Sequence, residues 1–205
     1  MDLAPLIPAF VTLFVIIDPV GLAPLFVALT QGMDADARRK VAVRSCLVAL
    51  GLLTLFGVAG EAVLAFLGIS MPAFRIAGGV LLFLTALDML FERRTRRRQG
   101  QAGAEHPEDP SVFPLAIPLI AGPGAIATMI LLTGREGADL AFVLAVHGVM
   151  ALVLGVVFAL FLLAGPLERL LGPVGINVVT RLLGMLLAAL SVQFVIDGLR
   201  DLQAI

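Results

Sequence analysis

The chain has 205 residues, of which 60% are hydrophobic and only 14% are charged, and its formal net charge is −1 at pH 7. A soluble globular domain has about 45–50% apolar and about 25% charged residues, so this composition excludes that class and indicates an integral membrane protein. The single cysteine, Cys46, excludes an internal disulfide bond and a cysteine-based metal site.

Six stretches of the sequence approach the roughly 17–25 apolar residues that a membrane-spanning helix needs. Because lipid offers no hydrogen-bond partner to the backbone, each stretch is predicted to be helical. The sequence therefore predicts an all-α integral membrane protein with six transmembrane helices in one membrane domain. The six stretches cover residues 3–29, 41–67, 73–91, 113–133, 140–164 and 178–199.

The first predicted span contains a carboxylate and two prolines near its middle, in the stretch IIDPVGLAP. A charged Asp18 at that depth costs several kcal/mol unless it is paired, hydrated or protonated. Pro19 and Pro24 each remove a backbone donor, while Asp18 can accept from N–H groups that such a break exposes. Two compatible interpretations stay open. Asp18, Pro19 and Gly21 form a capped helix break, or they form a site for a coupling proton or a substrate ammonium group.

A polar segment over residues 92–112 separates the third and fourth predicted spans and contains the run RRTRRR. Eleven of the 14 basic residues lie on the same side of the membrane as this linker. Cytoplasmic loops carry such an excess, so we predict a multi-pass protein of the bacterial inner membrane with both termini outside the cytoplasm. The arginine run is more typical of an orientation signal than of a lipid-binding or nucleic-acid-binding segment, and nucleic acid is not a predicted partner.

The fourth predicted span is interrupted by the stretch AGPGA. Gly122 and Gly124 allow a backbone or a ligand to approach closely, and Pro123 suits the first turn of a helix that restarts there. The start of this half-helix, up to Thr128, would present N–H groups to an anion such as a carboxylate. With the carboxylate of the first break, it would form a site for a zwitterion. Two packing kinks lined by small residues are the alternative.

Polar and basic side chains also occur in the remaining spans. His147 in the fifth span and Gln193 in the sixth are expected to face the interior of the bundle. His147 suits a proton relay or a hydrogen bond that fixes helix packing. Arg75 and Arg181 stand near the starts of the third and sixth spans, where they would reach the membrane interface or form gating ion pairs.

The two halves of the sequence resemble each other. FRIAGGVLLFLTAL in the third span aligns with TRLLGMLLAALSVQ in the sixth at a spacing of 106 residues, which pairs Arg75 with Arg181 and Gly78 with Gly184. DPVGLAPLFVALTQG in the first span resembles GPGAIATMILLTG in the fourth. Three spans in each half require opposite orientations, so we predict two inverted three-helix repeats with broken first and fourth helices, a transporter architecture. The repeats would cover residues 1–91 and 113–205.

The sequence carries no recognisable catalytic motif. It lacks a nucleophile elbow, a His-Glu-x-x-His motif and a Walker loop, and it has only two histidines. We therefore predict no enzymatic activity, no cofactor and no metal site.

Several of these stretches resemble the MarC family of bacterial inner-membrane proteins. They are FLGISMPAFRIAGGVLLFL, FPLAIPLIAGPGAIATMI, RLLGMLLAALSVQFVIDGL and the first-span DPVGLAPLF. The family is similar to the LysE-type exporters, and some of its relatives are described as transporters of small neutral amino acids. The resemblance implies a six-span transporter and carries over no catalytic residues. This chain has Asp18 where many members have Asn.

The sequence thus favours secondary transport of small solutes, above all small neutral amino acids, with proton coupling as a further hypothesis. The predicted partners are a small-molecule substrate and the lipid bilayer, and assembly into a homo-oligomer is left open. The alternative is a non-transporting membrane scaffold or lipid-binding protein that acts through the basic cytoplasmic loop.

Overall fold

A computed structural model of the protein describes residues 6–91, 109–135 and 137–203, without the side chains of residues 167–169 and 203. The arginine run and most of the predicted linker lie outside the described residues. The described chain forms eight helical elements. In chain order they are α1 (Leu6–Ile17), α2 (Pro19–Leu29), α3 (Ala35–Phe66), α4 (Met71–Leu90), α5 (Ser111–Ile120), α6 (Pro123–Thr133), α7 (Leu140–Leu162) and α8 (Ala164–Gln203).

Five helical stretches are long and apolar enough to cross a membrane, and a bent pair of helices makes a sixth. Elements α1 and α2 together form one stretch of 24 residues, and α5 and α6 form the bent pair, with 56° between their axes. The others are α3, α4, α7 and residues Leu170–Leu202 of α8. The described residues thus contain five or six candidate spans, which confirms the prediction of an all-helical membrane protein.

Side-chain caps set the starts of α3, α4 and α7. Helix α3 begins at Ala35 rather than at residue 41, because Asp34 accepts a hydrogen bond of 2.7 Å from a backbone N–H in the first turn. The basic stretch before the apolar run is therefore helical. Ser70 and Asp139 cap α4 and α7 in the same way.

Helix α8 starts well before the predicted sixth span. It consists of two helices that meet at Gly172, which has a φ of 61° and a ψ of 173°. Glycine adopts this conformation without a Cβ clash, and Pro173 then suits the first turn of the second helix. The segment GPLERLLG, which lies between the fifth and sixth predicted spans, is therefore helical up to this kink.

The bundle has two ends with different contacts. At the terminal end, where α1 begins and α8 ends, Arg75 of α4 forms an ion pair with Asp201 of α8. At the opposite end, where α4 ends and α5 begins, Phe26 of α2 stacks on Phe161 of α7 with 4.3 Å between ring centroids. Arg38 lies over the Phe26 ring at 5.7 Å. We call this second end the linker end.

An ion pair joins the start of the second half to α3 at the linker end. Asp109 binds Arg44, and its Oδ1 accepts a hydrogen bond of 3.0 Å from the backbone N–H of Ser111. The contacts with Ser111, and then the Arg44 guanidinium, lower the pKa of Asp109 below its usual value. The carboxylate is therefore ionised at neutral pH and ties α5 to α3.

Helices α4 and α8 pack together more extensively than any other pair of described elements. Glycines permit this contact, because a Cβ at Gly79 would lie 2.8 Å from the Ser191 carbonyl oxygen. A Cβ at Gly184 would lie 2.9 Å from the Cβ of Met89. Gly79, in the first half of α4, meets Ser191 in the later part of α8, whereas Met89 at the end of α4 meets the earlier Gly184. The two helices therefore run antiparallel.

Replacing Gly79 by leucine is expected to destabilise the protein, because the Ser191 backbone oxygen cannot move aside as the end of a side chain could. Overpacking of a packed interior costs about 1–3 kcal/mol of the free energy of unfolding. The measurement is thermal unfolding of the purified protein in detergent. Gly148→Leu is the matched control, since among the described residues no atom of another helix lies within 4 Å of its Cβ position. Equal unfolding temperatures for the two variants would contradict this tight contact.

Candidate functional site

The first helix break is built by Asp18 and the residues around it. Asp18 has a φ of 57° and a ψ of 64°, the left-handed conformation that Asp and Asn tolerate better than most residues. Its Oδ1 accepts a hydrogen bond of 3.1 Å from the N–H of Gly21, and Pro19 is the first residue of α2. A Cβ at Gly21 would lie 2.2 Å from Oδ2, so a side chain there would displace this carboxylate from its capping position. The structure thus has the cap that one interpretation expected.

Asp18 is also buried in the middle of its span. The residue is 1% exposed, and its neighbours Ile17 and Leu22 are fully buried. A carboxylate in such a setting is costly unless other groups stabilise it, and intramembrane carboxylates commonly mark functional sites. Capping and function are therefore compatible roles for this side chain.

Helix α5 is not the regular helix that the apolar run predicted. Phe113 and Ile117 have extended backbones, which residues before proline favour, and each is followed by a proline in a cis peptide bond. The Ala121 N–H bonds to the Ala116 carbonyl at 2.8 Å, across five residues instead of four. The first half of the fourth span is therefore a wide-turn segment.

The second break lies between α5 and α6. Gly122 caps α6 with extended backbone and no side chain, and Pro123 occupies the first helical position, as predicted. A Cβ at Gly122 would lie 2.5 Å from the Pro118 carbonyl oxygen, so the chain can turn this tightly only with glycine. Pro123 itself is exposed.

The structure brings the two breaks into contact. A Cβ at Gly124, in the first turn of α6, would lie 2.8 Å from Cδ1 of Ile16, which precedes Asp18 by two residues. The same Cβ would lie 3.3 Å from Cδ2 of Leu82 on α4. The absence of a side chain at Gly124 therefore allows α6 to begin directly against the end of α1.

Thr128 on α6 has a buried and unsatisfied hydroxyl group. The residue is fully buried, and within residues 6–91, 109–135 and 137–203 its Oγ1 has no hydrogen-bond partner. An unsatisfied buried polar atom is costly and rare in proteins, so this hydroxyl is available to bind a water molecule or a solute. This hydroxyl lies about one helical turn beyond Gly124.

His147 lies apart from the breaks. It lines a cavity of about 500 Å³ between α3 and α7, which neither Asp18 nor Gly124 lines. Its Nδ1 lies 2.8 Å from the Val143 carbonyl oxygen, and its buried Nε2 has no partner in the described part of the chain. A Cβ at Gly57 would lie 2.8 Å from Nε2, so the ring fills a notch in α3.

A cavity of about 520 Å³ opens at the terminal end and brings charged side chains together. Besides the ion pair of Arg75 and Asp201, Gln193 donates a hydrogen bond of 2.8 Å to Asp197. Arg200 lies 3.7 Å from the same carboxylate. Gln193 lines this cavity together with residues of α1, α4 and α6, and its side chain is exposed there and not packed in the core.

The residues paired by the sequence alignment differ in their surroundings. The side chain of Arg75 is only 17% exposed, whereas Arg181 is exposed on α8. Gly184 packs on α4, whereas Gly78 faces α6, where a Cβ would lie 3.0 Å from Cδ1 of Leu131. Arg75 has in Asp201 the carboxylate that the expected gating ion pair would need.

Sequence reasoning did not identify the charged cavity as a site. The charges of its described residues come from the start of α4, a position two residues after α6 and the end of α8, which are far apart in the chain. One signal was available. Arg75, Arg135 and Arg200 are the three basic residues predicted to lie on the side of the membrane opposite the linker.

Comparison with known proteins gives consistent matches over the whole chain. The family described as "MarC family integral membrane protein" matches residues 3–203. The UPF0056 membrane protein of Archaeoglobus fulgidus is 40% identical over 196 residues, which cover 94% of this chain and 91% of that protein. The UPF0056 inner membrane protein YhgN of Escherichia coli K12 is 36% identical over 197 residues, with 95% and 96% covered. No solved structure matches the chain.

Proposed function

The chain belongs to the MarC family of integral membrane proteins, and on that premise we propose that it is a secondary transporter of small solutes and not an enzyme. The proposed substrates are small neutral amino acids. The observation that carries the proposal is the contact between the two helix breaks, at Ile16 and Gly124, beside the buried Asp18. Interrupted helices that meet inside the membrane form the substrate site in many secondary transporters.

The packing of the helices supports the proposed inverted repeat. Each span contacts its counterpart in the other half: α1 contacts α6, α3 contacts α7, and α4 contacts α8. Counterparts in an inverted repeat must cross the membrane in opposite directions. The pair α4 and α8 runs antiparallel, and so does the pair α3 and α7, since Cys46 approaches Leu154 while Gly57 approaches His147.

The chemistry of the breaks suits a small zwitterion. The N–H groups in the first turn of a helix have no acceptor within that helix and favour an anion. In the proposed site, the start of α6 therefore receives the substrate carboxylate, with a further donor in the Thr128 hydroxyl. Asp18 receives the ammonium group or the coupling proton. The apolar Ile16 and Leu82 beside Gly124 favour a substrate with a small neutral side chain.

We propose that the protein lies in the inner membrane, because the E. coli relative YhgN is named as an inner membrane protein. The basic residues on the linker side favour a cytoplasmic linker end. In this orientation both termini and the charged cavity face away from the cytoplasm.

Uptake of radiolabelled glycine and alanine into proteoliposomes tests the proposal. We expect the full chain to raise the initial rate above that of protein-free liposomes. Thr128→Val is expected to lower this rate about ten-fold, because a hydrogen bond to a charged group is lost. Its unfolding temperature should be unchanged or higher, because valine removes an unsatisfied hydroxyl without changing the shape.

The experiment also has a clear negative outcome. If the glycine flux and the alanine flux are each the same in proteoliposomes and in protein-free liposomes, the proposed substrate class is overturned. A Thr128→Val variant with wild-type flux would remove that hydroxyl from the proposed site.

A further inference from the structure

The charges of the described residues in the terminal-end cavity do not cancel. Among these residues, three arginines and two aspartates line the cavity. Asp201 pairs with Arg75, and Asp197 lies 3.7 Å from Arg200, so two of the arginines each have an acidic neighbour. Within the described part of the chain, one guanidinium therefore remains as excess positive charge.

That guanidinium belongs to Arg135. In the part of the chain that the structure describes, no carboxylate lies within 4 Å of it, and the guanidinium lies over the ring of Phe142, 6.0 Å from the ring centroid. An arginine over an aromatic face is held in place while its N–H groups stay available. A guanidinium with free N–H groups binds a carboxylate through two parallel hydrogen bonds.

The cavity leads toward the two breaks. Its lining includes Ala9 and Thr12 of α1 and Leu131 of α6, the two helices that meet at Ile16 and Gly124. Thr12 precedes Asp18 by six residues, or roughly 9 Å along a helix. The volume of about 520 Å³ falls in the range of small-molecule sites and exceeds what a small amino acid fills.

We propose that this cavity is a second solute site, which captures the substrate by its carboxylate at Arg135 before the substrate reaches the breaks. Asp197, whose side chain is 38% exposed, faces the same cavity and receives the ammonium group. The proposal rests on the proposed transport function. It adds a site of first contact on one side of the membrane, selective for solutes that carry both charges.

The test compares Arg135→Gln with Arg39→Gln, the same substitution at an exposed arginine of the linker end. An exposed charge pair contributes little free energy to binding. We therefore expect Arg135→Gln to raise the KM for glycine about three- to five-fold, with Vmax unchanged. The increase should occur only when glycine is added on the terminal-end side of the membrane. Arg135→Lys should recover part of the affinity, and Arg39→Gln should match the wild type on both sides.

Acetate, which has the carboxylate but no ammonium group, is the probe for Arg135 itself. It should compete with glycine at the terminal-end side in the wild type and not in Arg135→Gln. If Arg135→Gln and Arg39→Gln give the same KM and the same inhibition by acetate, the second site is overturned while the transport function stands. If the wild type carries no glycine, the transport function fails. In that case, the rise in unfolding temperature on addition of acetate tests the cavity site. A smaller rise in Arg135→Gln than in the wild type supports the site, and an equal rise overturns it.

Discussion

Replacing Gly124 by leucine is expected to abolish glycine uptake by the reconstituted protein. A Cβ at this position would lie 2.8 Å from Ile16 Cδ1 and 3.3 Å from Leu82 Cδ2. These side-chain ends can move aside for one carbon, but leucine adds three more, so we expect it to displace α6 from α1 as well. The two breaks would then separate at the proposed substrate site. A displacement of about 1 Å in a positioned site can reduce a rate about a hundred-fold.

Two further variants show whether the loss comes from the contact itself. Gly124→Leu combined with Ile16→Ala returns space at the contact and should recover a measurable fraction of the uptake. Gly148→Leu adds the same side chain where, among the described residues, no atom of another helix lies within 4 Å, and it should transport like the wild type. Wild-type uptake by Gly124→Leu in a correctly folded protein would contradict a substrate path between the breaks.

Replacing Asp18 by asparagine is expected to remove the dependence of uptake on a pH gradient. Asparagine keeps an oxygen that can accept from Gly21 and tolerates the left-handed backbone, but it cannot carry or release a proton. The measurement is glycine uptake with and without an imposed pH gradient. A gradient dependence that survives in Asp18→Asn would exclude Asp18 as the coupling group.

Comparing Asp18→Ala with Asp18→Asn distinguishes the contribution of the cap to stability from that of the charge. Both variants remove the charge equally, but alanine also loses the capping oxygen and adopts a φ of 57° less readily. We expect Asp18→Ala to be less stable than Asp18→Asn by about 2 kcal/mol, about half from the cap and about half from the backbone conformation. Equal unfolding temperatures for the two variants would mean that the cap does not stabilise the break.

The membrane spans could be predicted from the sequence because they depend on local composition. Runs of apolar residues indicate where a helix can lie in lipid, and the structure has helices in each of those places. The start of α3 was harder to predict, because the Asp34 cap extends this helix into the basic stretch before the apolar run. The wide turns of α5 also could not be predicted from an apolar run, since they depend on how Phe113 and Ile117 are arranged before their prolines.

The two helix breaks could also be predicted, since Asp18, Pro19, Gly122 and Pro123 are chemically unusual in an apolar span. Their contact depends on packing between α1 and α6, and the alignment of the two halves was the signal for it. For the terminal-end cavity the sequence offered only a weaker signal, three arginines predicted on the same side of the membrane. Its charged residues come from helix ends that only the folded bundle brings together, and single charges near span ends are ordinary in membrane proteins.

The stacked rings at the linker end have a consequence for the proposed transport cycle. Phe26 and Phe161 are each 1% exposed, and their ring centroids lie 4.3 Å apart. For a solute to leave between these helices at the linker end, the two rings would have to part. Parting them gives up an aromatic contact of about 0.5–1.5 kcal/mol and exposes both ring faces. A transporter that works in this way would lose the contact once in every turnover, so the contact would bear on its rate of release.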